Sequence, residues 1–126
     1  MKTAITDPAQ LPSAFEHALN SNDVDGVLAL FVPGATMRTE SGEVITGPQA
    51  LRQEISRTAA ASGRLTNNSR HALVGADTAL LVTDWTLEVT APDGERVTRT
   101  GTTANVAHRG ADGCWRFTVL NPLGTA

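Results

Sequence analysis

From residue 64 onward the chain stops reading as helix. Three turn clusters, Gly75-Ala76-Asp77, Pro92-Asp93-Gly94 and Gly110-Ala111-Asp112-Gly113, divide this part into four long runs, about 64–74, 77–91, 96–108 and 114–121. Gly and Asp tolerate the backbone angles of tight turns, and Pro fixes φ at their entry, so the runs are predicted to be strands joined as a meander. Helical periodicity is confined to the residues before them. Helices first and a long antiparallel meander afterwards give an α+β layout, not an alternating βαβ one.

The first half supplies three helices. Asp7-Pro8 has an N-cap followed by a first-position proline, and Gln10 completes a capping-box spacing. Pro12 lacks an N–H where helical bonding begins, which moves the regular helix to near Pro12-Ser13. Phe15, Ala18 and Leu19 then recur on one face. Asn20-Ser21-Asn22 breaks the pattern, and Asp23 caps a second short helix containing Val24, Val27, Leu28 and Phe31, ended by Pro33-Gly34. Residues 35–39 and 43–46 flank Ser41-Gly42 as a short hairpin. Gly47-Pro48 opens a third helix with Leu51 and Ile55 one turn apart, ending near Ser62-Gly63.

Three helices cover only one face of so long a sheet. Either the sheet curls round them and leaves a blind cavity, or its other face pairs with a second copy; both follow from the need to cover apolar surface. On the 77–91 strand, Leu81, Trp85, Leu87 and Val89 share a face opposite Asp84, Thr86, Glu88 and Thr90. On 96–108 the alternation leaves both choices open, with Ala104 and Val106 on one side and Thr103, Asn105 and Ala107 on the other.

The chain has 126 residues, enough for one domain with its own core, so residues 1–126 are read as a single unit. Ten basic and thirteen acidic residues leave a net charge of −3, which gives no footprint for nucleic acid or an anionic membrane. The longest apolar run, Ala79-Leu80-Leu81-Val82, is far short of a bilayer span. MKTAITDP lacks a signal-peptide core, and one cysteine, Cys114, fits a reducing compartment, so a cytoplasmic protein is expected. No nucleophile elbow, Walker loop or dinucleotide fingerprint occurs. His17, His71 and His108 are scattered without ligand spacing, so neither a metal nor another cofactor is expected. His17 reads as helix surface, and Cys114 as an incidental thiol away from any helix N-terminus.

The run from Ala18 to Phe31 with Gly34-Ala35-Thr36, then Gly42 and Gly47-Pro48-Gln49-Ala50-Leu51, resembles the ketosteroid-isomerase-like and polyketide-cyclase-like (SnoaL-like) members of the NTF2-like superfamily. Asp84-Trp85, Pro92-Asp93-Gly94, Asp112-Gly113-Cys114-Trp115-Arg116 and the ending from Asn121 to Ala126 resemble a subgroup of it, the DUF4440-like, SgcJ/EcaC-type proteins of enediyne clusters. The resemblance spans nearly the whole chain. It implies a cone-shaped α+β barrel of three N-terminal helices on a curved antiparallel sheet, commonly a homodimer through the sheet, with a hydrophobic cavity. Members include isomerases, cyclases, dehydratases and non-catalytic binders.

The steroid isomerases use a first-helix Tyr, a protonated strand Asp and a proton-shuttling Asp. By this resemblance the Tyr position holds Phe15, the shuttling Asp position Thr39, and the other Asp position falls near Asn105, whose amide can still donate to an oxyanion. The subgroup's Asp before Asn-Pro is Leu120 here. The steroid-isomerase mechanism is therefore not expected. Asn105 is the candidate oxyanion donor, and His71 the candidate proton shuttle if it faces the cavity. Phe15, Phe31, Met37, Thr39, Trp85, Thr103, Phe117 and Asn121 are the candidate ligand contacts. Three uses remain open: an enzyme of specialised metabolism acting on a polyketide-like substrate, a carrier of a hydrophobic metabolite, or a structural dimerisation module.

Overall fold

The computed structural model describes residues 4–126. Its first turn is 3-10, Pro8–Gln10, capped by the Asp7 carboxylate, which accepts from Ala9 N at 3.0 Å. Helix α1 (Leu11–Asn20) follows directly, with Pro12 in its first turn where a missing N–H costs nothing. Asp23 caps α2 (Val24–Leu28) by accepting from Gly26 N at 2.9 Å. Here the sequence expectation is corrected. Phe31 does not belong to this helix but opens strand β1 (Phe31–Arg38), which contains Pro33-Gly34. Pairing of β1 is irregular between Phe31 and Thr36, so Pro33 sits where the ladder asks for no donor. Strand β2 (Val44–Thr46) and helix α3 (Pro48–Ala60) come next. Five strands complete the domain: β3 (Arg64–Gly75), β4 (Thr78–Thr90), β5 (Arg96–Thr102), β6 (Asn105–Arg109) and β7 (Trp115–Leu120).

All seven strands form one sheet in the order β2-β1-β7-β6-β4-β3, with β5 also on β4. Every pairing is antiparallel except β1 with β7, which is parallel. Strands β5 and β6 keep a common register on β4, with Trp85 opposite Gly101 and Leu81 opposite Asn105. They are the expected 96–108 strand, interrupted at Thr103-Ala104. At the break Thr103 N still donates to Thr83 O, but Ala104 N turns to Asn121 O. Beyond it β6 has β7 beside it and β5 does not, so the sheet splays at this point and curves round the helices without closing.

Burial resolves the strand parity that the sequence left open. On β4 the odd residues Ala79, Leu81, Thr83, Trp85, Leu87 and Val89 are buried, and across from them Thr103, Asn105 and Ala107 are buried too. The odd positions face the helices. Leu11 and Leu19 of α1, with Leu51 and Ile55 of α3, close the core from above. Phe15, Phe31 and Phe117 tie α1, β1 and β7 together, with ring centroids 5.4–6.2 Å apart in edge-on or tilted pairs. Such pairs add about 0.5–1.5 kcal/mol each beyond burial of their area.

The edge strand β3 is not left bare. Asn20 donates to Leu65 O at 2.8 Å and accepts from Leu65 N at 2.7 Å. One turn earlier, Glu16 accepts from Asn67 N at 2.6 Å. Two side chains spaced four apart on α1 thus satisfy backbone groups two apart on β3, which removes a site for unwanted strand pairing. No described helix is long and apolar enough to cross a membrane.

Candidate functional site: a small cavity with a polar end

The cavity lies between α1, α3 and the concave face of the sheet, and measures about 100 Å³. Phe15 and Leu19 from α1, Ile55 from α3, Met37 from β1, Leu65 from β3, Trp85 and Leu87 from β4, and Phe117 from β7 give it apolar walls. Gly101 lies directly across from Trp85 and carries no side chain for a reason. A β-carbon there would lie 2.7 Å from Cζ2 of the indole, so only glycine lets the ring lie flat on β5. The indole N–H then donates to Pro122 O at 2.8 Å, which fixes the ring and pins the last turn of the domain against the cavity.

Three polar residues of the sheet gather at one end: Thr83, Thr103 and Asn105. Thr103 is internally committed, since its hydroxyl accepts from Thr83 N at 3.0 Å and donates to Leu81 O at 3.4 Å. Asn105 is 5% exposed, and its Oδ1 accepts from Asn121 N at 2.7 Å. That bond sets the orientation of the amide and leaves Nδ2 with no partner among the described residues. Thr83, 2% exposed, presents an Oγ1 that is fully buried with no hydrogen-bond partner among the described residues. An unpaired buried hydroxyl costs about 1–3 kcal/mol. Thr83 is directly opposite Thr103 and Asn105 opposite Leu81, so Thr83 and Asn105 are diagonal neighbours on the same face. The cavity is also lined by two carboxylate-bearing residues, both already paired. Glu40 meets Arg99 at 3.2 Å, and Glu54 meets Arg57 at 2.8 Å.

Of the residues singled out from sequence, Phe15, Met37, Trp85, Thr103, Asn105 and Phe117 line this cavity. Four do not. Phe31 supports the lining from behind through Phe15 and Phe117. Thr39 is buried but turned into the β1–β2 hairpin, its hydroxyl 2.9 Å from that of Ser41. Asn121 is not in the lining; its Nδ2 donates to Gly124 O at 2.9 Å and its Oδ1 faces Arg38. Its part is played by its backbone N, which holds Asn105. His71 fails the condition placed on it: it is exposed and pairs with Val82 on the outer face. The reason is a bulge. Ser69 pairs with Thr83 but His71 with Val82, so Arg70 is an extra residue and the alternation beyond it is inverted. Ala72 takes the inward place instead.

Sequence reasoning missed Thr83, Glu40 and Glu54. Thr83 was detectable, since it has the same parity as Leu81 and Trp85. Cys114 lies away from the cavity in the β6–β7 turn, where its N–H donates to Asp112 at 3.0 Å. In that turn the Arg116 guanidinium, followed by the Cys114 N–H, holds the Asp112 carboxyl down at about 2, and the same contact raises Arg116. A wider groove of about 950 Å³ runs outside the helices between α1 and the start of β7 and includes His17 and Cys114.

Helices packed on a curved, unclosed sheet round a blind cavity define the NTF2-like class of fold. Residues 13–120 match the family model of the SnoaL-like domain, and the chain belongs to that family. Solved structures agree on the fold. A proposed calcium/calmodulin-dependent protein kinase type II association domain from Thiobacillus denitrificans is 19% identical, with 99% of this chain and 100% of that one covered and a TM-score of 0.79. A proposed aromatic ring hydroxylase from Novosphingobium aromaticivorans is 21% identical over 93% and 85% of the two chains, TM-score 0.79. A proposed dehydratase of the NTF2-like family from Streptomyces avermitilis is 18% identical over 87% and 88%, TM-score 0.73. No curated protein matches significantly.

Proposed function

We propose that this domain binds a small, mainly apolar molecule in the cavity, with the Asn105 amide as its polar anchor. The observation that carries the reading is the open Nδ2, held in place by the bond from Asn121 N to Oδ1 at the polar end of a mainly apolar chamber. Preset donors in a dry site favour an oxygen that carries or gains negative charge. In an enzyme of specialised metabolism that donation would stabilise the enolate of a bound ketone. With His71 on the outer face, Glu40 or Glu54 would have to accept the proton. A carrier would use the same donor for affinity alone.

Assembly as a homodimer through the sheet belongs to the same proposal. Leu73 and Leu80 pair across β3 and β4 on the face away from the helices and are 59% and 38% exposed. Such surface is what a second copy would cover.

The test is a titration with cyclic ketones of one to four rings, read by Trp85 fluorescence and by the Asn105 side-chain amide signals in NMR. Binding that shifts those signals is expected, and Asn105→Ala separates the two uses. A catalyst loses turnover while affinity persists; a carrier loses affinity. If no ketone moves the Asn105 amide, the reading is wrong.

A further inference from the structure

Resting on that reading, we infer that the ligand is a single-ring or similarly compact molecule bearing one acceptor oxygen, held jointly by the Asn105 amide and the Thr83 hydroxyl. Two independent observations lead there. One is size. At about 100 Å³ the chamber is smaller than the roughly 150 Å³ apolar cavity known to accept benzene, and well below the roughly 300–1,000 Å³ of drug-sized sites. The wall on the Trp85 side does not yield easily, because the indole is fixed by its bond to Pro122 O and lies against Gly101.

The other observation is the unpartnered hydroxyl. Thr83 Oγ1 is buried in the cavity wall, and neither Thr103 nor Asn105 is bonded to it. The Thr103 hydroxyl accepts from Thr83 N and donates to Leu81 O, and Asn105 Oδ1 accepts from Asn121 N. What remains at this end is the Asn105 amide NH2 and one O–H, diagonal to each other on the same sheet face. A ketone oxygen can accept from both at once. A hydrocarbon satisfies neither. A second anchor also distinguishes this site from one in which Asn105 acts alone, since removing either donor costs only part of the preference for oxygen.

The experiment compares cyclopentanone with methylenecyclopentane, which has the same shape but no acceptor, and with a tetracyclic steroid ketone. Affinities come from ligand-observed and protein-observed NMR on the wild type, Thr83→Val and Thr83→Ser. In the wild type, cyclopentanone is expected to bind about tenfold more tightly than the hydrocarbon, and Thr83→Val to reduce that ratio about three- to fivefold, as one hydrogen bond warrants. Thr83→Ser keeps the hydroxyl and is expected to keep the ratio. If Thr83→Val leaves the ratio intact, the hydroxyl is no anchor and the inference fails. Binding of the steroid ketone without binding of cyclopentanone would also overturn it while leaving the small-molecule reading in place. If no ketone binds at all, both fall together.

Discussion

Replacing Thr83 by valine should make the empty domain more stable, although threonine is a good strand residue and the site is buried. Valine keeps the β-branch and its χ1 preference, so the strand is undisturbed. The only exchange is a hydroxyl for a methyl group. In the folded protein Oγ1 has no partner among the described residues, whereas in the unfolded chain it bonds to water. Removing that mismatch returns part of a desolvation cost of about 1–3 kcal/mol, and the added methyl contributes up to ~0.8 kcal/mol of apolar burial. A net gain of about 1–2 kcal/mol is expected. For 126 residues the unfolding entropy near the midpoint is roughly 0.26 kcal/mol per kelvin, so Tm should rise by about 4–8 °C. Urea unfolding followed by tryptophan fluorescence, without ligand, should show a higher midpoint at unchanged slope. Thr83→Ala is the control, since it removes the hydroxyl but leaves a void and should destabilise. A Thr83→Val protein equal to or weaker than the wild type would mean that the hydroxyl is paired in solution, and the polar end of the cavity would have been misread.

Three further outcomes are expected. Gly101→Ala should lose about 1–2 kcal/mol by urea unfolding, because its β-carbon would collide with the Trp85 indole and overpacking outweighs the entropy gained from a less flexible chain. Asn20→Ala should cost about 2 kcal/mol through the two bonds to Leu65, and should raise the aggregation rate by uncovering the β3 edge. The Asp112 carboxyl is depressed in the folded state, so its stabilising contribution is present above the unfolded carboxylate value. It is lost as pH falls from about 4 through about 2. Asp112→Asn should flatten the pH dependence of stability in that window, with only a small change at neutral pH because the pair with Arg116 is half-exposed.

The alternation from Leu81 to Val89 and the three turn clusters made the concave sheet legible, because period-two burial and turn chemistry are local signals. The same alternation pointed at Thr83, but threonine is at home on either face of a sheet, and its hydroxyl is left unpaired only by the arrangement of neighbouring strands in the fold. His71 was lost to the bulge at Arg70, a one-residue event with no reliable local signature that inverts every side chain beyond it. Pro33-Gly34 is read as a helix stop because both residues break helices. The irregular β1–β7 pairing that tolerates them depends on a partner strand far along the chain. Asn105 was identified by resemblance, but its orientation follows from Asn121 N, a contact between separate strands and loops.

The parallel pairing of the first strand with the last has a consequence for biogenesis. Until β7 has left the ribosome, β1 can pair only with β2, and Phe15 and Phe31 have no Phe117 to close on. The helices and β1 must therefore wait, greasy and half-covered, while the meander is synthesised. Folding should wait for β7 and be slow for the domain's size, in the millisecond-to-second range of chains dominated by distant contacts. Nascent chains stalled before β7 are where a holding chaperone would be needed most.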